Sequence, residues 1–454
     1  MSTLWQRLGM SLAVTALTAM FTVPLQLAPV REASAAQDKA TIDLWFDTTG
    51  GAEVAECTTA NLVDPFNEQS ETTQVEATMQ ANGWQATRTA LAGGGGPDIV
   101  TTPGPSWAVE LARAGQLLPL DDFAEQYGWD ERFVPWALDL GRVDGGLYSL
   151  PTQQETMVVY YNKTLFDEKG WELPETLDEL TALSEQIAAE GTIPFAHGNQ
   201  EWRPANHWYL GEFLNQVAGP QKVYDFLTGN AQLTDEEFVQ AVDMLTQYQQ
   251  NGWFMGGLEN YYTTTSDAMH AALGDGQAAM LIEGTWFLAE VDLFFGEAAG
   301  NTSEWGWIPM PSLTGEPTFD LGIGSTYSIN PASENPESAG EFLDYMFSPE
   351  AQARLLVECG IDPAPVTVDT AALEGVDSRH VEIIAALNDA AGDGNYGYLM
   401  WTFFAPKVDS FLTENIERVW AGDMTSQELL AEAQAIHDEE VAAGTIPPIP
   451  ARGE

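Results

Sequence analysis

The chain has 454 residues, with 68 Asp and Glu against 16 Lys and Arg, a formal net charge of −52 and a sequence pI near 4.1. So large an acidic excess disfavours nucleic acid and anionic membrane surfaces as partners, because it repels phosphate instead of releasing its counterions. The length also exceeds the roughly 250–300 residues at which one hydrophobic core stops growing, so two domains are expected.

The first residues carry one cation, Arg7, then an apolar run from Met10 to Val23, then Ala33-Ser34-Ala35 and Ala36. This is the layout of a secretory signal cleaved after Ala35 or Ala36, and the run is too short and wrongly flanked for a membrane anchor. No Cys lies near that site, so a lipid anchor is not expected, and a soluble periplasmic or secreted protein is. Removing residues 1–36 takes away Arg7, Arg31 and Glu32, which leaves the remainder slightly more acidic. With only five lysines, the charge fits a saline habitat, where ~1 M salt shortens the Debye length to roughly 3 Å and makes crowded carboxylates tolerable. For Cys57 and Cys359 a disulfide is permitted by that compartment but not demanded by the arithmetic, and two buried free thiols are the plainer reading.

Thr41 to Phe46 reads as a first strand, Val54 to Gln69 as a helix with Leu62, Val63 and Phe66 inward, and Thr73 to Thr78 as a second strand. Trp84 to Ala92 is a short helix, and the glycines from Gly93 to Gly96 with Pro97 release the chain into Asp98 to Thr101. Strands and helices alternating in this way predict a doubly wound α/β lobe. Further on, Gly145 and Gly146 make a turn, and Met157 to Tyr161 is an unbroken apolar run of the kind that forms a strand buried on both faces. Helix starts are punctuated by capping boxes at Thr176 to Glu179, Thr234 to Glu237 and Thr425 to Glu428, and by Ser348 before Pro349. Ala278 to Ile282, Trp305 to Pro311 and Thr326 to Asn330 read as further strands.

The segment from Gly145 to Phe166, with Leu150-Pro151 and Glu155 before the strand that ends Tyr161-Asn162-Lys163, resembles the interdomain crossover of the extracellular solute-binding proteins that feed ABC transporters for sugars, the group that includes the maltose-binding protein. The resemblance extends along the chain through "PFNEQ", "GGGPDIV", "LLPLDDF", "YYNKTLF", "GQAAMLIEGTWFL", "GWIPMP", "AGEFLDYMFSPEAQARLL" and "AGDMTSQELLAEA", which fall in family order. It implies an α/β, two-lobed periplasmic-binding-protein fold of the type II, Venus-flytrap kind with crossover hinge strands. The expected lobes are residues 37–149 with 306–345, and 150–305 with 346–454. Crossovers are expected near Tyr148 to Thr152, Trp305 to Pro311 and the start of Leu343 to Pro349.

Several tryptophans stand where the backbone leaves a strand or turn: Trp84, Trp202, Trp286 and Trp401. An indole face suits the C–H face of a pyranose, while hydroxyls need fixed polar partners at the ring edge; the plainer reading of each is a core aromatic. The resemblance implies that Trp286 is a stacking platform, that Trp84 and Trp401 are ligand-facing aromatics, and that Glu155 touches the sugar. Arg203, next to Trp202, can donate to ring hydroxyls. Gly324 and Ser325 fall in the family's glycine-rich strand approach, where backbone amides come close to ligand. Thr49, after the first strand, is a candidate for edge hydrogen bonds, although this loop lacks the lysine of maltose-binding proteins.

Enzyme readings find little support in the sequence. There is no Gly-x-Ser-x-Gly elbow and no His-Glu-x-x-His helix, and the glycines from Gly93 lack the Lys-Ser or Lys-Thr of a phosphate loop. His197 and His207 read as a surface or cleft pair, and no metal, cofactor or catalytic residue is expected. The expected function is capture of a mono- or oligosaccharide by a monomer and its delivery to inner-membrane ABC permease subunits, with no nucleic acid bound and no insertion into the membrane. The alternatives are an extracellular carbohydrate-active hydrolase, or a binder of the same fold for a polyol, glycerophosphodiester or peptide.

Overall fold

The computed structural model describes residues 39–48, 52–297, 299–366, 375–392 and 394–450. The signal-sequence reading and Thr49 lie outside the described residues. In chain order the first strands are Ala40–Asp47 (β1), Thr73–Gln80 (β2), Ile99–Thr102 (β3), Arg142–Val143 (β4), Gly146–Leu147 (β5), Leu150–Pro151 (β6) and Gln154–Glu155 (β7). The rest are Met157–Asn162 (β8), Ile193–Phe195 (β9), Ala278–Gly284 (β10), Trp305–Pro309 (β11), Phe319–Ile323 (β12), Thr326–Ile329 (β13) and Tyr396–Tyr398 (β14).

One sheet has the order β2-β1-β3-β13-β6. Its first three strands are parallel, with β1 and β2 in register from Ala40 opposite Thr73 to Asp47 opposite Gln80, and β13 closes it antiparallel to β3 and β6. Alternation decides the faces: Ile99 packs with Ile42, Leu44 and Phe66, whereas its neighbour Val100 packs with Leu91, Val109 and Leu117 on the other side. The second sheet, β11-β8-β10-β9, is built round β8. Met157, Val158, Val159 and Tyr160 are fully buried there, as the unbroken apolar run predicts. A third sheet, β14-β12-β7, sits at the passage between them.

The helix from Val54 to Gln69 forms with Leu62, Val63 and Phe66 buried, and it contains a π-helical turn at Thr59–Val63. Capping boxes form at Thr176 with Glu179 and at Thr425 with Glu428, and the Ser348 hydroxyl accepts from the Ala351 amide. The box expected at Thr234 does not form. That helix begins at Glu236 after Asp235, whose carboxylate accepts instead from Lys222 at 2.7 Å.

The packing also divides the chain differently from the sequence expectation. β11 stays in the second sheet because it is an edge strand, where a proline such as Pro309 costs no ladder bond. The chain returns to the first sheet later, between Ile323 and Thr326. Helices Pro336–Met346 and Pro349–Cys359 both cover the first sheet, where Phe342, Phe347, Leu355 and Cys359 share a core with Ile42. Only Ile383, Leu387 and later residues join the second core, so residues 346–366 pack with the first lobe. Cys57 and Cys359 are bonded, with Cα atoms 5.8 Å apart at a sequence separation of 302.

Glu212, on helix Trp208–Ala218, and Asp320, on β12, are fully buried. A Cβ on Gly397 would collide with Asp320, so glycine leaves the carboxyl its place. Burial, and then the adjacent Asp320, push the Glu212 carboxyl well above the usual range, so the folded chain holds a proton that the unfolded chain releases.

Two outcomes are expected. Replacing both cysteines by alanine, or reducing the bond, should remove about 2–5 kcal/mol of stability, because the bridge closes a very long loop; thermal melts with and without reductant read this. For Glu212, the stability held by the raised carboxyl is complete below the unfolded glutamate pKa and is lost as pH rises towards the folded one. Urea titrations from pH 5 to 8 should show wild type losing up to about 1.4 kcal/mol per pH unit relative to Glu212→Gln.

Candidate functional site

Two passages between the sheets lie side by side. Going out, the chain runs from β6 through Thr152 and Gln153 to β7; coming back, it runs from β12 through Gly324 and Ser325 to β13. They are bonded to each other. The Thr152 amide donates to the Ser325 carbonyl at 3.0 Å, the Thr152 and Ser325 hydroxyls are 2.6 Å apart, and the Gly324 amide donates to the Gln153 carbonyl at 2.9 Å. On β7, Glu155 pairs with Gly322 and is buried, and a Cβ on Gly324 would collide with its carboxylate. Gly324 is therefore glycine to admit the Glu155 side chain. Burial, reinforced by Asp362, holds the Glu155 carboxyl well above the usual range, and Asp362 itself pairs with His380 at 2.8 Å.

The indoles gather in two groups. Trp84, in the first turn of helix Gly83–Ala92 of the first lobe, has its amide on the Asp47 carboxylate and its ring centroid 5.0 Å from that of Trp202 of the second lobe. Trp202 and Arg203 sit in the segment before helix Trp208–Ala218. Arg203 has φ +53°, a left-handed conformation that a non-glycine side chain adopts at a cost, and its carbonyl accepts the amides of Asn206 and His207. Its guanidinium lies 5.6 Å from the centre of the Tyr262 ring.

The second group is centred on Trp286. Its ring folds back over Gly284, where any side chain would collide with it, and its indole N–H donates to Glu283 at 2.6 Å. Trp208 stands at 4.8 Å and Trp401 at 5.8 Å from it, both edge-on, which leaves Trp286 half-buried and braced. Trp401 is buried, with His207 at 5.7 Å on one side and Gly104 of the first lobe packed against it on the other. His207 is fixed by Asp409 at 2.7 Å.

Of the residues expected at the site, the structure thus brings Trp84 to Trp202 and Trp286 to Trp401, and sets Glu155, Gly324 and Ser325 together at the paired passages. The histidines do not form a pair. His197 is fully buried against the rings of Tyr209 and Phe254, and burial lowers its pKa to about 3, so it stays neutral, while His207 belongs to the aromatic group. Trp208 and Asp409 were not singled out in the sequence. Each lies at helical spacing in an apolar segment and reads as core; only the adjacency of Trp208 to Trp202 and Arg203 hints at more. Among the described residues no group of three or more His, Cys, Asp or Glu is placed to hold a metal ion, and no helix is long and apolar enough to cross a membrane.

Comparison with known proteins agrees with this architecture. Residues 58–353 match the family described as bacterial extracellular solute-binding protein. A probable sugar-binding periplasmic protein of Brucella suis biovar 1 (strain 1330) is 24% identical over 432 residues, covering 90% of this chain and 94% of that one. The diacetylchitobiose binding protein NgcE of Streptomyces coelicolor is 24% identical over 363 residues, covering 76% of this chain and 74% of that one. A solved chitin oligosaccharide binding protein shares the fold, with a TM-score of 0.74 at 22% identity over 89% of this chain and 100% of that one. With paired crossover passages between two α/β lobes and a family match over most of its length, the chain belongs to the bacterial extracellular solute-binding proteins.

Proposed function

We propose that this protein is exported, captures a mono- or oligosaccharide between its lobes as a monomer, and delivers it to the permease of an ABC importer by hinge closure. The observation that carries the reading is the pair of indole groups, Trp84 of the first lobe against Trp202 of the second, and Trp286 braced by Trp208 and Trp401, in a chain whose two lobes are joined by bonded crossovers. Ligand touching both lobes has differential affinity for the closed form, and that difference shifts the population towards the form the permease meets. The names of relatives that bind sugars and diacetylchitobiose support the same ligand class. On the packing, the lobes are residues 39–151 with 326–366, and 154–323 with 378–450, with the bonded segments between them as hinge.

In this reading Trp286 is the stacking platform, Trp84, Trp202 and Trp401 flank it, Arg203 and Ser325 bond ring hydroxyls, and Glu155, kept protonated, both donates and accepts from the crossover. Carboxylates around the rings are engaged: Glu283 with Trp286 and His270, Asp409 with His207, Glu417 with Asn206. A hydrolase would instead need two opposed carboxylates facing one glycosidic bond. The acidic surface is read as an adaptation to saline solvent.

A thermal-shift scan of free sugars should find a ligand that, at 100 times its dissociation constant, stabilises the fold by ~2.7 kcal/mol. Steady release of cleaved sugar would overturn the reading. Calorimetry on Trp286→Ala should show affinity at least ~30-fold weaker with folding intact, from the ~2 kcal/mol or more that a buried aromatic anchor supplies. In a separate test, melting temperature should rise between low and molar salt, since screening relieves the repulsion of a chain carrying −52 charges; a flat response would remove the halophilic reading.

A further inference from the structure

Beside Trp401 lies a groove of about 460 Å³ between helix Pro105–Arg113 of the first lobe and helices Pro406–Trp420 and Ser426–Ala443 of the second. The volume is within the range of small-molecule sites. Trp401 neighbours it in the fold: it packs on Gly104, one residue before the first of these helices, and lies just before the second. Trp107 and Phe411 supply apolar rings from the two sides.

Its charge is the unusual feature. Cations are 16 of 454 residues, so eleven lining positions would be expected to hold fewer than one, yet Arg88, Arg113 and Lys407 all line the groove. Arg88 lies over the Trp107 ring at 4.9 Å and is neutralised by Glu110 at 2.6 Å. The other two have no salt bridge with a described acidic residue, in a chain with about four acids for every cation. Arg113 gives one nitrogen to the Gly444 carbonyl at 2.5 Å, across the groove, which fixes the guanidinium between the lobes and leaves its other N–H groups. Glu440 is committed to capping helix Pro406–Trp420, accepting the backbone amides of Lys407 and Val408 at 3.1–3.2 Å. Glu414 is the one remaining lining carboxylate.

We propose that this groove receives a carboxylate-bearing sugar, so that the ligand is an acidic oligosaccharide with a uronate residue beyond the ring held by Trp286 and Trp401. The proposal rests on the sugar-binding reading above. Arg113 offers the planar fork that matches a carboxylate, Lys407 a point charge beside it, and Trp107 and Phe411 the faces that a pyranose ring needs. The field of a strongly acidic chain repels a dianion twice as strongly as a monoanion, which favours one carboxylate over a phosphate ester.

The test is calorimetry at low salt with matched pairs: cellobiose against cellobiouronic acid, maltotriose against its singly C6-oxidised form, and glucose 6-phosphate as the phosphate arm. The acidic member should bind at least tenfold more tightly than its neutral partner, and that ratio should fall below about threefold in Arg113→Gln and in Lys407→Gln, two exposed positions whose variants are checked for unchanged melting. A neutral sugar bound as tightly as its acidic partner overturns the uronate assignment while leaving sugar binding intact, and so does a tighter phosphate ester. Binding of none of these sugars, with none found in the wider scan, overturns the sugar-binding reading and this inference with it.

Discussion

The structure depends on the bonding of two crossover segments to each other. Thr152 and Ser325, with Gln153 and Gly324, join the outgoing and returning passages through backbone and hydroxyl bonds. Because each lobe has its own sheet and its own core, this narrow band is where one lobe's orientation is communicated to the other. Glycine at 324 is required by the buried Glu155 carboxyl beside it, so backbone path and side-chain chemistry are set together at the hinge. A small change of torsion in a few such residues swings a whole lobe, which is how hinge closure amplifies local contact with a ligand.

Around that band the two lobes contribute unequal parts. The first offers Trp84, Gly104 and the helix carrying Trp107 and Arg113; the second offers Trp202, Trp208, Trp286 and Trp401, braced ring against ring. Trp286 can remain half-buried because its N–H is already satisfied by Glu283 and two indole edges hold its plane. An indole fixed in this way has little freedom left to lose, which suits the stacking role proposed for it. The disulfide stabilises a different region: it joins the helix that carries Cys57 to helix Pro349–Cys359 on the first lobe and closes a loop that contains residues 154–323 of the second.

Buried acids recur in the design. Glu155 near Asp362, and Glu212 against Asp320, place carboxyls where ionisation is opposed by burial and by a neighbour. Protonated, each can donate as well as accept, which satisfies a buried site that a carboxylate pair could not.

The sequence by itself determined the local features. Apolar spacing placed Leu62, Val63 and Phe66 inward on the first helix, the apolar run marked β8 as buried on both faces, caps at Thr176, Ser348 and Thr425 fixed helix starts, and motif order pointed to the family. These are short-range properties, settled by a few neighbouring residues. Tertiary structure alone decided where the chain changes lobe, because a proline in an edge strand and a helix between lobes carry no local mark of their destination: Pro309 stayed in the second sheet, and Phe347 to Cys359 went to the first. It alone also decided that Cys57 meets Cys359, that Asp235 is taken by Lys222 and not by its own helix, that Trp208 stands beside Trp286, and that Trp107 and Arg113 share a groove with Phe411 and Lys407. Such meetings join residues tens to hundreds of positions apart, and the distance between two points of a folded chain is set by how its sheets and helices pack, not by anything written in either neighbourhood.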